Sequence, residues 1–166
     1  MNETYVECMV AHKKSPLAGA FKYIMYALAI LCFLSGVVLS PLGIILAIVL
    51  GLVGYIVSPM LDIEYEYLYL DKSISIDKVM AKEKRKHITD IDLNTMEIMA
   101  PLSSHELDSY KAQKLPYKEY ASGLSDSKVY VIMYIEKENK QMVGIEPNEE
   151  MLKAIKTYFP RKVVEN

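Results

Sequence analysis

Residues 23–61 read YIMYALAILCFLSGVVLSPLGIILAIVLGLVGYIVSPML, and this stretch decides how the chain is organised. It contains no Asp, Glu, Lys, Arg or His. A bilayer core of about 30 Å is spanned by roughly 20 apolar residues in a helix, so a single helix of this length would be almost twice too long. The connection Ser-Pro-Leu-Gly at 40–43 supplies a break, with Ser40 as a helix cap and Pro41 at the first helical position. The two membrane spans predicted in this way are 21–39 and 42–60.

The charges that flank this stretch predict its orientation. Lys13, Lys14 and Lys22 precede the first span, whereas the connection at 40–43 carries no charge. Basic residues favour the cytoplasmic side, so the head and, after two crossings of the cell membrane, the tail are both expected in the cytoplasm. A re-entrant hairpin would also leave both ends on one side, and a buried helical hairpin of a soluble protein is the remaining alternative.

Outside this stretch the composition is that of one ordinary domain. The chain has 166 residues, 52% of them hydrophobic, and a net charge of -2 from 19 basic and 21 acidic residues. The predicted division is a cytoplasmic head over 1–20, a two-helix transmembrane hairpin over 21–61 and a cytoplasmic domain over 62–166. No segment is basic enough to indicate a nucleic-acid partner. The spans also lack the ionisable groups that ion pathways and intramembrane catalysis use.

The tail alternates apolar and polar residues in short segments, which is typical of strands. Residues 63–70 and 73–76 alternate around a two-residue connection and predict a β-hairpin. The head segment 4–10 is a further candidate strand that could join this domain. Further strands are predicted at 84–91, 94–100, 129–135 and 141–145, with a polar loop or short helix over 103–120.

A final helix is predicted at the end of the tail. Asn148 is a suitable N-cap, apolar residues from Met151 to Phe159 fall on one face, and Pro160 ends the helix. The fold class is therefore a membrane α-hairpin plus an α+β cytoplasmic domain. We expect that domain to be an antiparallel barrel or sandwich whose open end is capped by the C-terminal helix.

Three segments of the tail carry a family resemblance. The hairpin Tyr65–Ile76, the stretch DKVMAKEKRKH over Asp77–His87 and the strand MEIMAP over Met96–Pro101 resemble a small family of double-spanning, pleckstrin-homology-like membrane proteins of Gram-positive bacteria. The resemblance implies a pleckstrin-homology-like fold and a cytoplasmic binding or scaffolding module. It implies no catalytic site, and because such folds host many roles it identifies no ligand.

The densest charge in the chain is the basic run formed by Lys82, Lys84, Arg85 and Lys86. Four basic side chains close to a membrane can attract anionic lipid headgroups, at about 1 kcal/mol per residue. This run is therefore a candidate patch for anionic lipid or for a partner. The alternative is that lysines at alternate positions protect an edge strand from aggregation.

A row of small residues marks the second span. Gly43, Ala47 and Gly51 follow the small-xxx-small spacing that lets helices approach closely. The row could contact another protein or a second copy of the chain. The alternative, which we favour, is that it packs the two helices of the hairpin against each other.

The histidines and cysteines predict no metal site and no cofactor. His12, His87 and His105 do not follow a metal-ligand spacing. Cys8 and Cys32 lie in the cytoplasmic head and in the bilayer, so neither a disulfide nor a zinc site is expected.

Two further groups of residues invite a functional interpretation that we do not favour. Ser103, Ser104, His105 and Glu106 form a short polar cluster, which is more typical of helix capping on a solvated surface than of catalysis. The alternating tyrosines at 65–69 could present a peptide-binding face, but such rows are usually core.

The sequence therefore predicts a membrane-anchored cytoplasmic binding or scaffold module without catalytic activity. Its expected partners are the lipid bilayer and an unidentified protein or anionic lipid, with self-association through the spans as a further hypothesis. The alternative function is that of an accessory subunit, which would associate with a larger membrane complex through its transmembrane helices.

Overall fold

The computed structural model of the chain describes residues 5–13 and 16–165. The chain divides into two compact units. A strand-rich unit contains the residues up to 12, Glu64–Val79 and the chain from Arg85 onward. A helical unit contains Lys13–Ile63 together with Met80–Lys84. Thr4 and Lys14, which entered the predictions of a head strand and of the orientation, lie outside the described residues.

The strands and helices follow one another along the chain in this order: β1 Val6–Ala11, α1 Pro16–Val38, α2 Leu42–Met60, β2 Ile63–Leu70, β3 Ser73–Met80, β4 Lys84–Asp92, β5 Met96–Pro101, α3 Asp108–Ala112, β6 Tyr117–Tyr120, β7 Tyr130–Glu136, β8 Asn139–Ile145 and α4 Glu149–Tyr158.

The first sheet of the strand-rich unit has the order β1-β2-β3-β4. β1 pairs antiparallel with β2, in a register that sets Val6 opposite Tyr69 and Ala11 opposite Glu64. The prediction of a strand in the head is thus confirmed from Val6 onward. Within the head predicted over 1–20, residues 6–11 thus form a strand of this sheet, and the side chains of Val6 and Cys8 are buried in the core of the domain.

Backbone geometry at the hairpin turns matches the twist of the strands. Asp71 and Lys72, between β2 and β3, have φ values of 48° and 64°, and Lys137 and Glu138, between β7 and β8, have 48° and 69°. Two consecutive left-handed residues are the requirement of a type I′ turn, the connection that suits right-twisted strands. Lys72 adopts this geometry although glycine is the usual choice at such a position.

The second sheet has the order β5-β7-β8-β6 and is mixed. β7 pairs antiparallel with both β5 and β8, but β6 pairs in parallel with β8. The prediction of antiparallel strands throughout is therefore wrong for β6. The physical reason is that residues 121–129 carry the chain past β8 to begin β7 on its far side.

One hydrophobic core joins the two sheets and the last helix. It contains Tyr67 and Ile76 from the first sheet, Ile132 from the second, and Met151 and Ile155 from α4. Each such side chain, when fully buried, contributes about 1.5–3 kcal/mol.

The predicted cap of the last helix is confirmed. The side chain of Asn148 accepts a hydrogen bond of 2.8 Å from the N–H of Met151, and the helix ends at Tyr158 with Phe159 as its C-cap. Pro160 follows directly, as expected of a residue that cannot continue a helix.

The helical unit is a hairpin of α1 and α2. Within the described residues, Gly19–Val38 and Leu42–Met60 are long and apolar enough to cross a membrane, by length and composition. Only 6% and 11% of the residues in their apolar windows are buried. The predicted side-chain cap at Ser40 is wrong, because Pro41 occupies the N-cap position and the Ser40 carbonyl accepts from the N–H of Gly43.

Candidate functional site

The basic run lies on the connection between β3 and β4 and along the start of β4. Lys82, Lys84, Arg85 and Lys86 all have exposed side chains. Within the described residues, the three lysines form no ion pair. β4 is an edge strand of the first sheet, which is the setting of the protective-lysine interpretation.

Arg85 differs from its neighbours because it is paired. Its Nη2 lies 3.2 Å from Oε1 of Glu66, whose side chain is only 5% exposed. Its charge is therefore compensated within the first sheet. Among the described residues, the members of the run that form no ion pair are Lys82, Lys84 and Lys86.

The connection that carries Lys82 is attached to the end of the second apolar helix. The N–H of Ala81 donates to the carbonyl of Asp62 at 3.1 Å, and Asp62 follows α2 by two residues. Lys22 of α1 lies at the same end of the hairpin. It helps to line a cleft of about 240 Å³ with Gly19, Tyr23, Ser58, Pro59, Leu61 and Asp62. Three lysines of the helical unit, at 22, 82 and 84, thus lie toward one end of the hairpin.

The row of small residues is used unequally. A Cβ atom on Gly43 would lie 2.6 Å from the Cα of Gly36 on α1, so the two helices touch backbone to backbone there. Ala47 is buried, and Gly54 lies against Met25. A Cβ atom on Gly51 would meet nothing within 4 Å. Gly43 and Ala47 therefore lie within the hairpin, whereas Gly51 does not contribute to it.

The tyrosine row belongs to the core, as predicted. Tyr67 and Tyr69 are 0% and 1% exposed. The Tyr67 hydroxyl donates to the carbonyl of Tyr120 and accepts from the N–H of Glu146 at 3.4 Å. Burial raises the pKa of Tyr67, and burial together with the charge effect of Tyr158 raises the pKa of Tyr69 to about 12.

An aromatic contact that the sequence analysis missed holds the end of β1. His12 Nδ1 lies 2.8 Å from the carbonyl oxygen of Ala121, and its ring packs edge-on against Tyr65 at 5.8 Å. Tyr65 in turn packs against Tyr120 at 5.6 Å. The sequence gives no signal for such a contact at a lone histidine between a strand and a helix. Ala121 is 109 positions away in the chain, and Tyr65 lies on the strand that pairs with β1.

The polar cluster near residue 105 is a capping structure, as we favoured. The Ser104 hydroxyl accepts from the N–H of Glu106 at 3.3 Å, and His105 is fully exposed with Nδ1 3.2 Å from Asp108. Among the described residues no group of three or more His, Cys, Asp or Glu side chains could hold a metal ion.

The outer face of the first sheet carries a cluster of ionisable groups that the sequence analysis did not single out. His87 on β4 lies 2.9 Å from Asp77 and 3.2 Å from Asp90. The hydrogen bond to Asp77, more than the charge of Asp90, raises the pKa of His87. Glu66 lies on the same face, and strand alternation alone predicts an exposed glutamate there.

The arrangement of two four-stranded sheets with a C-terminal helix defines the class of domain, and comparison with known families agrees with it. Residues 2–165 match the family described as "Bacterial PH-like domain (DUF6106)". The chain belongs to this family, which confirms the resemblance noted in the sequence. The matched range includes α1 and α2 as well as the strands. No curated protein and no solved structure matches the chain.

Membership in this family bears on function at a coarse level. A PH-like domain is typical of a binding or scaffold module and is generally not catalytic. Because one fold hosts many functions, the ligand has to be inferred from the surfaces described above.

Proposed function

We propose that the chain is a membrane-anchored binding or scaffold module. The observation that carries this proposal is an exposed apolar hairpin inserted between two paired strands of a PH-like domain. Side chains such as Leu31 and Val49 are 63% and 49% exposed. A contiguous apolar surface of this kind is unfavourable in water and indicates a membrane or a protein partner.

The strand pairing supports a placement of both ends of the hairpin on the same side of the membrane. Ala11 and Glu64 are opposite each other in β1 and β2, so the chain leaves and re-enters the domain at neighbouring positions. A segment that departs and returns in this way crosses a membrane an even number of times. Lys13 and Lys22 at the first helix favour the cytoplasmic side for the domain and both termini.

A pair of charges on the exposed faces of the helices tests the membrane anchor. Leu31→Arg with Val49→Arg leaves the contact between the helices intact but places two charges where we propose lipid. Each charge costs about 2.5–3.5 kcal/mol at the centre of a span. The native chain should stay in the membrane pellet after alkaline extraction, and the double arginine variant should be released. Leu31→Ile with Val49→Ile is the matched control, and release of the native chain would contradict the anchor.

We further propose anionic lipid as a ligand of the basic residues at the end of the hairpin. Lys82 and Lys84 are exposed and lie one and three residues after Ala81. The N–H of Ala81 is hydrogen-bonded to the carbonyl of Asp62, just beyond α2. Lys22 adds a third charge at that end. Basic residues at this position would face lipid headgroups, where each contributes about 1 kcal/mol. Arg85 is left out of this patch because it is paired with Glu66.

Lipid retention measures this contribution. The full chain is purified in mild detergent with a mixture of phosphatidylcholine and phosphatidylglycerol, and bound lipid is counted by native mass spectrometry. Lys82→Ala with Lys84→Ala should weaken binding of phosphatidylglycerol by more than tenfold, the equivalent of about 2 kcal/mol. Lys118→Ala with Lys128→Ala removes two exposed charges elsewhere and should change little. Equal retention by both double variants would exclude the patch.

A second candidate, the accessory subunit, is favoured by a surface of the hairpin that is open. Gly51 meets open space. Nearby on the same hairpin lies an apolar groove of about 490 Å³, lined by Tyr26, Ala29, Ile30, Phe33, Ala47 and Ile48. Purification of the full chain in mild detergent separates the candidates. A stoichiometric membrane partner supports the subunit, whereas recovery of the chain alone or as copies of itself supports the independent module.

A further inference from the structure

Glu66 is a buried carboxyl group on a face of the sheet that should be solvated. It lies on β2 between Tyr65 and Tyr67, so its side chain points away from the core that receives those tyrosines. Nevertheless Glu66 is 4% exposed, whereas Glu7 on the neighbouring strand is exposed. A buried carboxylate is costly unless each of its oxygens has a partner.

The two oxygens of Glu66 are in different situations. Oε1 forms an ion pair with the guanidinium of Arg85, whose Nη2 lies 3.2 Å away. Oε2 is buried and, among the described residues, has no conventional donor. The carboxyl group of Glu7 lies within interaction range of Glu66, and its Oε2 accepts a hydrogen bond from the Tyr5 hydroxyl at 3.0 Å. Register explains this proximity, because Met9 pairs with Glu66 and Glu7 is its diagonal neighbour on β1.

A carboxyl group and a carboxylate can hydrogen-bond only if a proton lies between them. We propose that Glu66 and Glu7 form a proton-binding site, in which the protonated Oε2 of Glu66 donates to the carboxylate of Glu7. The site supplies the missing partner of Oε2 and links β1 to β2. Loss of the proton would leave two carboxylates facing each other across that strand pair.

The charges around the pair agree with a proton on Glu66. Burial raises the pKa of Glu66, the hydrogen bond with Glu7 raises it further, and Asp77 on β3 acts in the same direction, while Arg85 on β4 opposes them. The hydrogen bond with Glu66, followed by that from Tyr5, lowers the pKa of Glu7. The pKa values of the two carboxyl groups therefore shift in opposite directions, as in other pairs of carboxyl groups that share a site.

Infrared titration of the full chain in detergent tests the site directly, since a protonated carboxyl group has its own C=O stretch. In the native chain the last carboxyl group to lose its proton should do so above the ordinary pKa of glutamate, about 4.3. In Glu66→Gln this last deprotonation, the late step of the titration, should be absent. The matched control is Glu64→Gln, two positions away on the same face of β2, which should retain the late step.

A second variant keeps the test independent of folding problems at position 66. Glu7→Gln removes the acceptor, and the late step should shift to lower pH. The proposal is overturned if the native chain shows no late step, or if the step survives unchanged in Glu66→Gln.

Stability supplies a second readout. A carboxyl group whose pKa is raised on folding stabilises the fold below its unfolded pKa, and this contribution is lost as the pH rises through the folded pKa. The difference in unfolding temperature between Glu66→Gln and the native chain should therefore shift in favour of the variant as the pH rises through that range. A difference that is independent of pH would contradict a proton on Glu66.

Discussion

At the scale of single residues, two neighbouring core tyrosines differ in one respect. Tyr67 and Tyr69 are both buried on the same face of β2. The hydroxyl of Tyr67 has two backbone partners, whereas that of Tyr69 has none among the described residues. A buried hydroxyl stabilises a fold only when it is hydrogen-bonded, so the two positions should respond differently to loss of the oxygen.

Tyr67→Phe should lower the free energy of unfolding by about 1–2 kcal/mol, because it leaves the Glu146 N–H and the Tyr120 carbonyl without their partner. Tyr69→Phe is the matched change and should leave stability unchanged or slightly higher. The measurement is thermal unfolding of the full chain in detergent, followed by near-ultraviolet circular dichroism. Equal losses at the two positions would show that the assigned hydrogen bonds do not matter.

The same strand shows what a sequence can and cannot predict about single residues. Period-two alternation is enough to assign Tyr65, Tyr67 and Tyr69 to the core. It also assigns Glu66 to the solvated face, yet Glu66 is buried there and paired with Arg85 of β4. Its environment depends on Glu7 and Arg85, which strand pairing brings together from distant parts of the chain, and alternation within one strand carries no information about that pairing.

At the scale of elements, the two helices of the hairpin touch backbone to backbone at Gly36 and Gly43. A small-xxx-small spacing favours close helix contact, and Gly43 touches the backbone of α1 while Ala47 is buried. The spacing did not distinguish Gly51, because a row of three residues four positions apart drifts around the helix and only part of it faces α1.

Substitution by leucine separates these positions. Gly43→Leu should force the helices apart, since even a Cβ atom there would lie 2.6 Å from Gly36. Gly51→Leu should leave the hairpin intact. The readout is formation of a disulfide between cysteines introduced at Met25 and Gly54, in a chain whose native cysteines are replaced by alanine. Crosslinking should be lost with Gly43→Leu and kept with Gly51→Leu, and the reverse pattern would refute the assigned packing.

Elements that depend on distant contacts were the hardest to predict. The hairpin of β2 and β3 and the helix after Asn148 follow from local alternation, turn length and capping. β6 does not, because its four residues lie in a polar segment and its parallel partner is reached only after β7 is in place. Parallel pairing leaves no signature in a short edge strand that lacks a continuous apolar run.

At the scale of the whole molecule, the hairpin is an insertion within the PH-like domain rather than a leader in front of it. β1 precedes the helices and completes the first sheet beside β2. A fragment over 62–166 would therefore lack a strand and expose the edge of β2, which makes the full chain the proper subject of binding experiments.

The central proposal is that the hairpin crosses the membrane and that both of its ends lie on the cytoplasmic side, with the domain. Single cysteines at Ser40, between the helices, and at Ser125, in an exposed loop of the domain, test it in a chain whose native cysteines are replaced by alanine. A membrane-impermeant thiol reagent applied to intact cells should label Ser40→Cys at once and Ser125→Cys only after permeabilisation. Labelling of Ser125→Cys in intact cells, or protection of Ser40→Cys until permeabilisation, would contradict the account.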